Sequence, residues 1–394
     1  MKLAAGDRTL LTRQLDELAR AVEELLLSGL TTASAATRET FEITFREASR
    51  LRLLRLASTL RAANEEIGRF VAKQSEFSGK RLAFFLNRAW LLARGLLRAL
   101  SADDDAEWDR LLWTQPAIPI ERLEVVTLGV GKKVAKGSFC AFEFRLRVVT
   151  PTRSASEEAE RDAPSDPSLA RRVSEGPDVP TRLVWSCVFP LKPGVEIPPE
   201  GFLQMPQKQK FKASVFLEGR TIALTNVMLT ADDWGNGRVS LTDTSSVTVG
   251  SDKFSDWSRF ADWSAESLLQ RLQQHEPGPF DLEVELQEEV VLRDWNLAAR
   301  MPEQRDGQFF YPVSAGSLAF DAVVSAGVDG QTLDKRLSDL VKAKSRPPLF
   351  GLLHFERCRF ILQPLSVLSD NGPEFLTISN DKVDQAALLK TLKF

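Results

Sequence analysis

The chain is 394 residues long and carries 51 Lys and Arg against 54 Asp and Glu, a formal net charge of −3. Charged residues at 27% and apolar residues at 43% are ordinary for a folded domain and exclude disordered and fibrous classes. Two His (His275, His354) and three Cys (Cys140, Cys187, Cys358) leave little for imidazole, thiol or metal chemistry, and no cofactor is implied.

The start, Met1 to Arg8, has no apolar run ending in a small-residue cleavage site, so no secretory signal is expected. The most apolar stretch, Leu82 to Leu100, is interrupted by Arg88, Arg94 and Arg98. A central arginine costs roughly 2.5–3.5 kcal/mol on insertion scales, so no membrane span is expected either. Cysteines 47 and 171 residues apart form no disulfide framework and suit a reducing interior, which implies a cytoplasmic protein.

From Thr9 to Trp113 the chain reads as helices. Leu11, Leu15, Leu18, Val22, Leu25 and Leu26 make one apolar stripe. A second helix, broken or continuous, is expected over Arg38–Lys73, and a third over Arg81–Leu100. Ser101 is the expected N-cap of a short fourth, with Asp103, Asp104, Asp105 and Glu107 favouring its positive end. Together these predict a helical bundle over residues 8–115.

The period then changes to two. Phe142, Phe144, Leu146 and Val148 alternate with Glu143, Arg145 and Arg147, and Leu183, Trp185, Cys187 and Phe189 repeat the pattern. Between them, Pro151–Pro180 holds five Pro, five Ser, eleven charges and no aromatic residue. Such a composition predicts a disordered loop inserted between neighbouring strands. Further strands are expected over Lys210–Glu218, Thr221–Thr230 and Arg238–Val249, completing a β-rich domain over 118–250. Residues 251–394 read as α+β, a sub-domain of their own or a continuation of the preceding sheet. Helices are expected over Ser264–Gln274, Thr332–Lys344 and Asp381–Leu392, and strands over Asp281–Leu292, Leu349–Phe355, Arg359–Leu368 and Glu374–Ser379. The expected class is therefore multidomain α+β, a helical bundle followed by a β-rich, antiparallel or mixed-sheet region with a few helices.

Motifs of chemistry are sparse. Gly129-Val130-Gly131-Lys132-Lys133 lacks the earlier glycine (Val126 stands there) and the following hydroxyl of a phosphate-binding loop, and reads as a hairpin turn. His354 and Cys358 share one face of an expected strand and are the candidates for a catalytic pair, but two ligands are too few for zinc. Asp281, Glu283 and Glu285 read as the solvated face of a strand, and Asp232–Gly237 as a turn.

The basic helices are the clearest electrostatic feature. Arg38 to Arg98 holds thirteen Lys and Arg against six Asp and Glu, a local net of +7, so the remainder carries −10. Arg46, Arg50, Arg61, Lys80, Arg81 and Arg88 are the candidate stripe for nucleic-acid phosphates, unless they pair internally or are simply solvated. The segment Pro347-Pro348-Leu349-Phe350-Gly351-Leu352-Leu353-His354-Phe355-Glu356-Arg357, continuing to Leu365, resembles a segment of bacterial proteins associated with SWIM zinc-finger proteins and MoxR-type AAA+ ATPases. That resemblance covers about thirty of the 394 residues and implies an accessory role beside an ATPase.

The leading expectation is a non-enzymatic scaffold or adaptor in a bacterial cytoplasmic complex, with protein partners that include an AAA+ ATPase. The alternative is nucleic-acid binding through the basic bundle. A second alternative is an enzyme built on His354 and Cys358 or on converging carboxylates.

Overall fold

The computed structural model describes residues 5–30, 35–74, 77–112, 117–135, 139–149, 181–190, 198–231, 236–261, 263–276, 287–297, 302–305, 308–325, 328–343, 346–356 and 359–379. The expected loop 151–180 and the helix 381–392 lie outside them. The fold is α+β, in two compact units: Met1–Thr114 with Gln273–Leu286, and Gln115–Leu272 with Gln287–Phe394.

The first unit is built from α1 (Ala5–Ser28), α2 (Ala35–Arg50), α3 (Leu54–Val71), α4 (Gly79–Ala102) and α5 (Asp105–Leu112). The α1 stripe is buried from Leu11 to Leu25 and packs with Phe41, Leu56, Leu60, Phe85, Leu92 and Leu96. Arg52, in the left-handed region at φ 58°, separates α2 from α3. Ser78 caps α4, its hydroxyl accepting from Arg81 N at 3.2 Å. The cap expected at Ser101 falls elsewhere. Asp103 ends α4 in the left-handed region, and the Asp104 carboxylate caps α5 by accepting from Glu107 N at 2.9 Å.

The second unit holds two barrels. The first comprises β1 (Ile118–Ala135), β2 (Phe139–Val148), β3 (Arg182–Pro190), β4 (Arg220–Ala231) and β5 (Asn236–Lys253), closed in the order β1-β2-β3-β5-β4. Every pairing is antiparallel except β3 with β5. Alternation sends Phe142, Phe144, Trp185 and Phe189 inward, as the sequence predicts. The strand expected over Lys210–Glu218 is instead a tight turn followed by a 3₁₀ helix over Ala213–Leu217. Phe216 from that helix stacks on Trp185 with ring centroids 4.5 Å apart, so a barrel plug replaces a wall strand.

The second barrel repeats the plan. Its strands are β6 (Gln287–Leu292), β7 (Trp295–Leu297), β8 (Glu303–Arg305), β9 (Gln308–Ala315), β10 (Leu318–Ser325), β11 (Leu349–Glu356), β12 (Arg359–Ser369) and β13 (Gly372–Phe375), with α7 (Val328–Lys342) between β10 and β11. The sheet order is β6-β11-β12-β10-β9-β7, with β10 and β12 parallel. β6 and β7 are the two halves of one bent first strand. The first half pairs with the fourth strand of its barrel and the second half with the second strand, as the halves of β1 do. A Greek-key barrel ordered 1-2-3-5-4-1, with its third and fifth strands parallel, has the topology of an OB-fold, here in tandem.

The two barrels share an apolar seam of Val126, Leu128, Val291, Phe350, Leu352, Leu365 and Leu368. Sequence reading takes Gly129 and Gly131 for a hairpin turn, but both lie within β1. A bulge between Thr127 and Gly129 shifts the register there, so Val125 and Val130 both enter the barrel core while Val126 and Leu128 face the seam. A Cβ on Gly129 would fall 2.5 Å from the Phe350 ring and 2.9 Å from Leu365 Cβ. Polar clasps flank the seam: the Ser366 hydroxyl donates to Leu128 O, and Thr377 Oγ1 to Val130 O at 2.6 Å. After β13 the chain crosses back, with Phe375 and Ile378 in the first core and Leu376 in the second.

Two buried carboxylates complete the joint. Glu289 binds Arg147, and Arg145 at 3.4 Å; Glu288 binds Arg182 at 3.1 Å and Arg271 at 2.7 Å. Gly129→Ala is expected to cost about 1–3 kcal/mol through overpacking of the seam. Glu289→Ala, which strands the buried Arg147 and leaves Arg145 to Glu143 at 2.9 Å, is expected to cost about 3–5 kcal/mol. Urea unfolding followed by tryptophan fluorescence checks both, and wild-type midpoints in either variant would refute the seam as described.

Candidate functional site

The parallel pairing of β3 with β5 is short. Arg182 to Trp185 oppose Asn236 to Val239, and beyond them the two strands part. An open cleft of about 360 Å³ forms there, lined by Ser186 and Val188 of β3, Arg238 and Ser240 of β5, and Gln207 and Gln209 of the β3–β4 connection. Val188 is 61% exposed on this wall, and the buried Ser186 Oγ has no hydrogen-bond partner among the described residues.

The loop Pro206-Gln207-Lys208-Gln209-Lys210-Phe211-Lys212 is held in one shape. Gln207 N donates to Phe211 O at 2.7 Å and Lys210 N to Gln207 O at 2.9 Å, with Lys210 at φ 63°. The Phe211 ring packs on Trp185 at 5.8 Å, which anchors the loop to the barrel core. Gln209 Nε2 donates to Thr242 O at 2.9 Å, tying the loop to β5. Lys208, Lys210, Lys212 and Arg238 are all exposed, and among the described residues the one carboxylate bound by them is Asp243, 2.6 Å from Lys208 Nζ. Arg238 therefore lines the cleft, and three exposed lysines lie on the loop that supplies Gln207 and Gln209 to it, a cationic set suited to a polyanion.

The residues singled out from sequence are placed differently. Arg46 binds Glu42 at 3.1 Å, and Arg50 binds Asp7 at 2.6 Å and Glu47 at 2.8 Å. Arg81 lies 3.1 Å from Glu66, a buried carboxylate that also holds Arg69 and Ser78 N. Arg88 is 1% exposed within the bundle, so it cannot belong to a surface stripe. Arg61 and Lys80 are exposed with no ion pair among the described residues. His354 is half-buried on β11, in register with Ile361 and Gln287, while Cys358 lies outside the described residues. Asp281, Glu283 and Glu285 also lie outside them. Among the described residues no three His, Cys, Asp or Glu side chains converge on a metal position, and no helix is long and apolar enough to cross a membrane.

Lys208, Lys210, Lys212 and Arg238 escaped sequence reading, although the signal was present: three lysines at alternate positions interleaved with two glutamines and a phenylalanine. Sequence reading places Lys210 and Lys212 in an expected strand and singles out none of the four.

No family model and no curated protein matches the chain. Among solved structures, the chain is similar to an Ifi202 HINa domain in complex with a 20-base-pair double-stranded DNA (TM-score 0.29, 10% identity, covering 63% of this chain and 94% of that one). It is similar to a p202 HIN1 domain in complex with a 12-mer double-stranded DNA (0.29, 10%, 64% and 92%). A murine DNA-binding protein bound to double-stranded DNA aligns at TM-score 0.23 and 9% identity, over 62% of this chain and 94% of that one. At TM-scores below 0.3 these likenesses bear on neither fold nor ligand. The strand order defines the class: a tandem OB-fold protein with a helical bundle.

Thiol and phenol chemistry is suppressed in both barrels. Burial, with Cys140 beside it, pushes the Cys187 thiol from 9.0 up to about 12. Burial and the hydrogen bond to Asp334 push the Tyr311 phenol from 10.0 up to about 12. Both raised groups favour the neutral form in the folded state. Their stabilising contribution is intact below pH 9 and is lost as pH rises toward 12. Peptide mapping after alkylation at mildly alkaline pH is expected to find Cys187 unmodified in the folded protein and modified in denaturant. Equal modification in both states would contradict the burial.

Proposed function

We propose that the tandem barrels bind nucleic acid, with the cleft between β3 and β5 of the first barrel as the phosphate-contacting site. The observation that carries this reading is Arg238 on the wall of an open cleft where two barrel strands part, beside a loop that lines the cleft with Gln207 and Gln209 and carries the exposed Lys208, Lys210 and Lys212. OB barrels present oligonucleotides to the neighbouring β2–β3 face and to the loops at its end, so the cleft stands where the topology leaves a polymer room. Phosphate contacts dominate affinity and release counterions, so binding falls steeply with salt.

The test is fluorescence anisotropy of labelled single-stranded and duplex oligonucleotides between about 50 and 200 mM salt. The double variant Lys210→Ala, Arg238→Ala is expected to weaken binding of all sequences and to reduce the logarithmic salt slope by roughly one to two units. Arg61→Ala with Lys80→Ala is the comparison on the bundle, expected to leave the slope unchanged. Absence of affinity for both forms at the lowest salt removes the reading. A larger loss from the bundle pair moves the site there.

A second reading, an adaptor in a protein complex such as one beside an AAA+ ATPase, draws on apolar side chains exposed on the bundle. Leu27 is 88% exposed, and Leu26, Ile43, Leu54 and Val71 are also open. Cross-linking in cells that returns no recurrent partner on α1 or α3 would remove it.

A further inference from the structure

The parity of β3 decides which of its backbone groups meet the cleft. Val148 N donates to Thr181 O at 3.1 Å, and the register runs unbroken from Arg147–Arg182 to Phe139–Pro190. In an antiparallel pair alternate residues turn both main-chain groups to the same neighbour. The odd-numbered residues of β3 therefore bond β2, and the even-numbered ones face the other way. Arg182 and Val184 meet β5 there, but the β3–β5 ladder stops at Trp185 and Val239. The N–H and C=O of Val188 are thus turned to the cleft with no strand opposite among the described residues. Pro190, which has no N–H, ends the open edge.

The facing wall does not offer a second edge of the same length. Beyond Leu241, Thr242 N donates to Ser245 Oγ at 2.8 Å and Thr242 O accepts from Gln209 at 2.9 Å. Side chains follow the same alternation: Ser186, Val188, Arg238 and Ser240 face outward, while Trp185, Phe189 and Val239 are buried in the core. The charge on the outer side is positive. Arg238 is exposed on β5, and Glu143, opposite Ser186 on β2, is bound to Arg145 at 2.9 Å.

We infer that the free edge of β3 receives an extended acidic segment of a partner protein as an added strand. Its backbone pairs with Val188, and its carboxylates face Arg238 and the lysines of the 206–212 loop. An open strand edge is a template for pairing, in which main-chain hydrogen bonds give affinity and side chains give specificity. Here the cations across the cleft select the charge, because a basic segment would meet like charges. The inference goes beyond the nucleic-acid reading and does not depend on it, since strand pairing requires a polypeptide backbone.

The experiment is fluorescence anisotropy of the full chain with a labelled peptide of about eight residues, alternating valine and glutamate. A second peptide carries lysine in place of glutamate, and the salt is held at about 50 mM so that charge is weakly screened. The acidic peptide is expected to bind at least about tenfold more tightly. N-methylation of either the valine amides or the glutamate amides gives two further acidic peptides of unchanged charge. Pairing along one edge predicts that one set loses at least about tenfold and the other binds as the unmodified peptide does. Val188→Pro removes the N–H that faces the cleft and takes no bond from the β2 ladder, so it is expected to weaken the acidic peptide about tenfold. Should that variant lose its fold, the N-methylated peptides on the unaltered protein decide alone. Equal binding of the acidic and basic peptides, equal effects of the two methylated sets, or no peptide binding overturns the inference. Oligonucleotide binding without peptide binding leaves only the nucleic-acid reading standing, and peptide binding without oligonucleotide binding leaves only the added strand.

Discussion

The seam along β1 is the constraint on which the second unit depends. One strand is the wall of the first barrel and the floor of the contact with the second, so it is apolar on both faces. The bulge at Thr127–Gly129 lets it serve both. It switches which parity of residue points into the barrel halfway along the strand, and it places a residue without a side chain where Phe350 and Leu365 press closest. Dispersion and burial at Val126, Leu128, Val291 and Leu352 supply the attraction. The Glu288 and Glu289 clamps add register, because buried carboxylates tolerate only an arrangement that brings arginines to both.

The same clamps decide what remains of the barrel surface. Arg145, Arg147 and Arg182 lie on the outer face of β2 and β3, where an OB barrel ordinarily meets its ligand. Here they are bound to carboxylates of β6, and Arg147 also lies over the Phe350 ring at 5.7 Å. Their charge is neutralised inside the protein, so they add little to an external field. The bundle does the same on its own terms: Arg46, Arg50 and Arg81 pair with Glu42, Asp7, Glu47 and Glu66, all within that unit. A count of basic residues along the sequence cannot distinguish a charge held by a neighbour from one facing solvent.

That difference sets how much the sequence disclosed. The α1 stripe, the extent of α4, the alternation of β2 and β3, and the helices near residues 265 and 330 were legible because each is a local period facing one core. β1 was not, because a strand buried on both faces loses its alternation, and its two glycines imitate a turn. The Lys210–Glu218 segment was not, because its two lysines at alternate positions follow a strand's period while the chain turns at Lys210 and coils at Ala213. The split of one strand into β6 and β7 conceals the second barrel. Its closure depends on pairings between residues more than fifty positions apart, such as Leu292 with Leu349. The cleft was invisible for the same reason, since no local pattern marks where β3 and β5 diverge.

The divergence itself follows from the topology. A fifth strand that runs parallel to the third must approach it from the same end, and it must also curve away to complete its antiparallel pairing with the fourth. β5 does this with a register shift opposite Thr225–Val227, where Asn226 adopts φ 51° and its carbonyl accepts from Thr242 Oγ1 and Ser245 Oγ. Past Val239 it therefore belongs to β4, and the far half of β3 is left paired on one side only, by β2. The 206–212 loop covers part of that gap without closing it, held by Phe211 beneath and Gln209 at the side. The walls of this opening are barrel strands, and the turn beside it is tied to the barrel through Phe211 and Gln209. The Arg145, Arg147 and Arg182 end of the β2–β3 face is bound to β6, while the Ser186 and Val188 end opens on the cleft, with Arg238 on its wall and the lysine-bearing loop beside it.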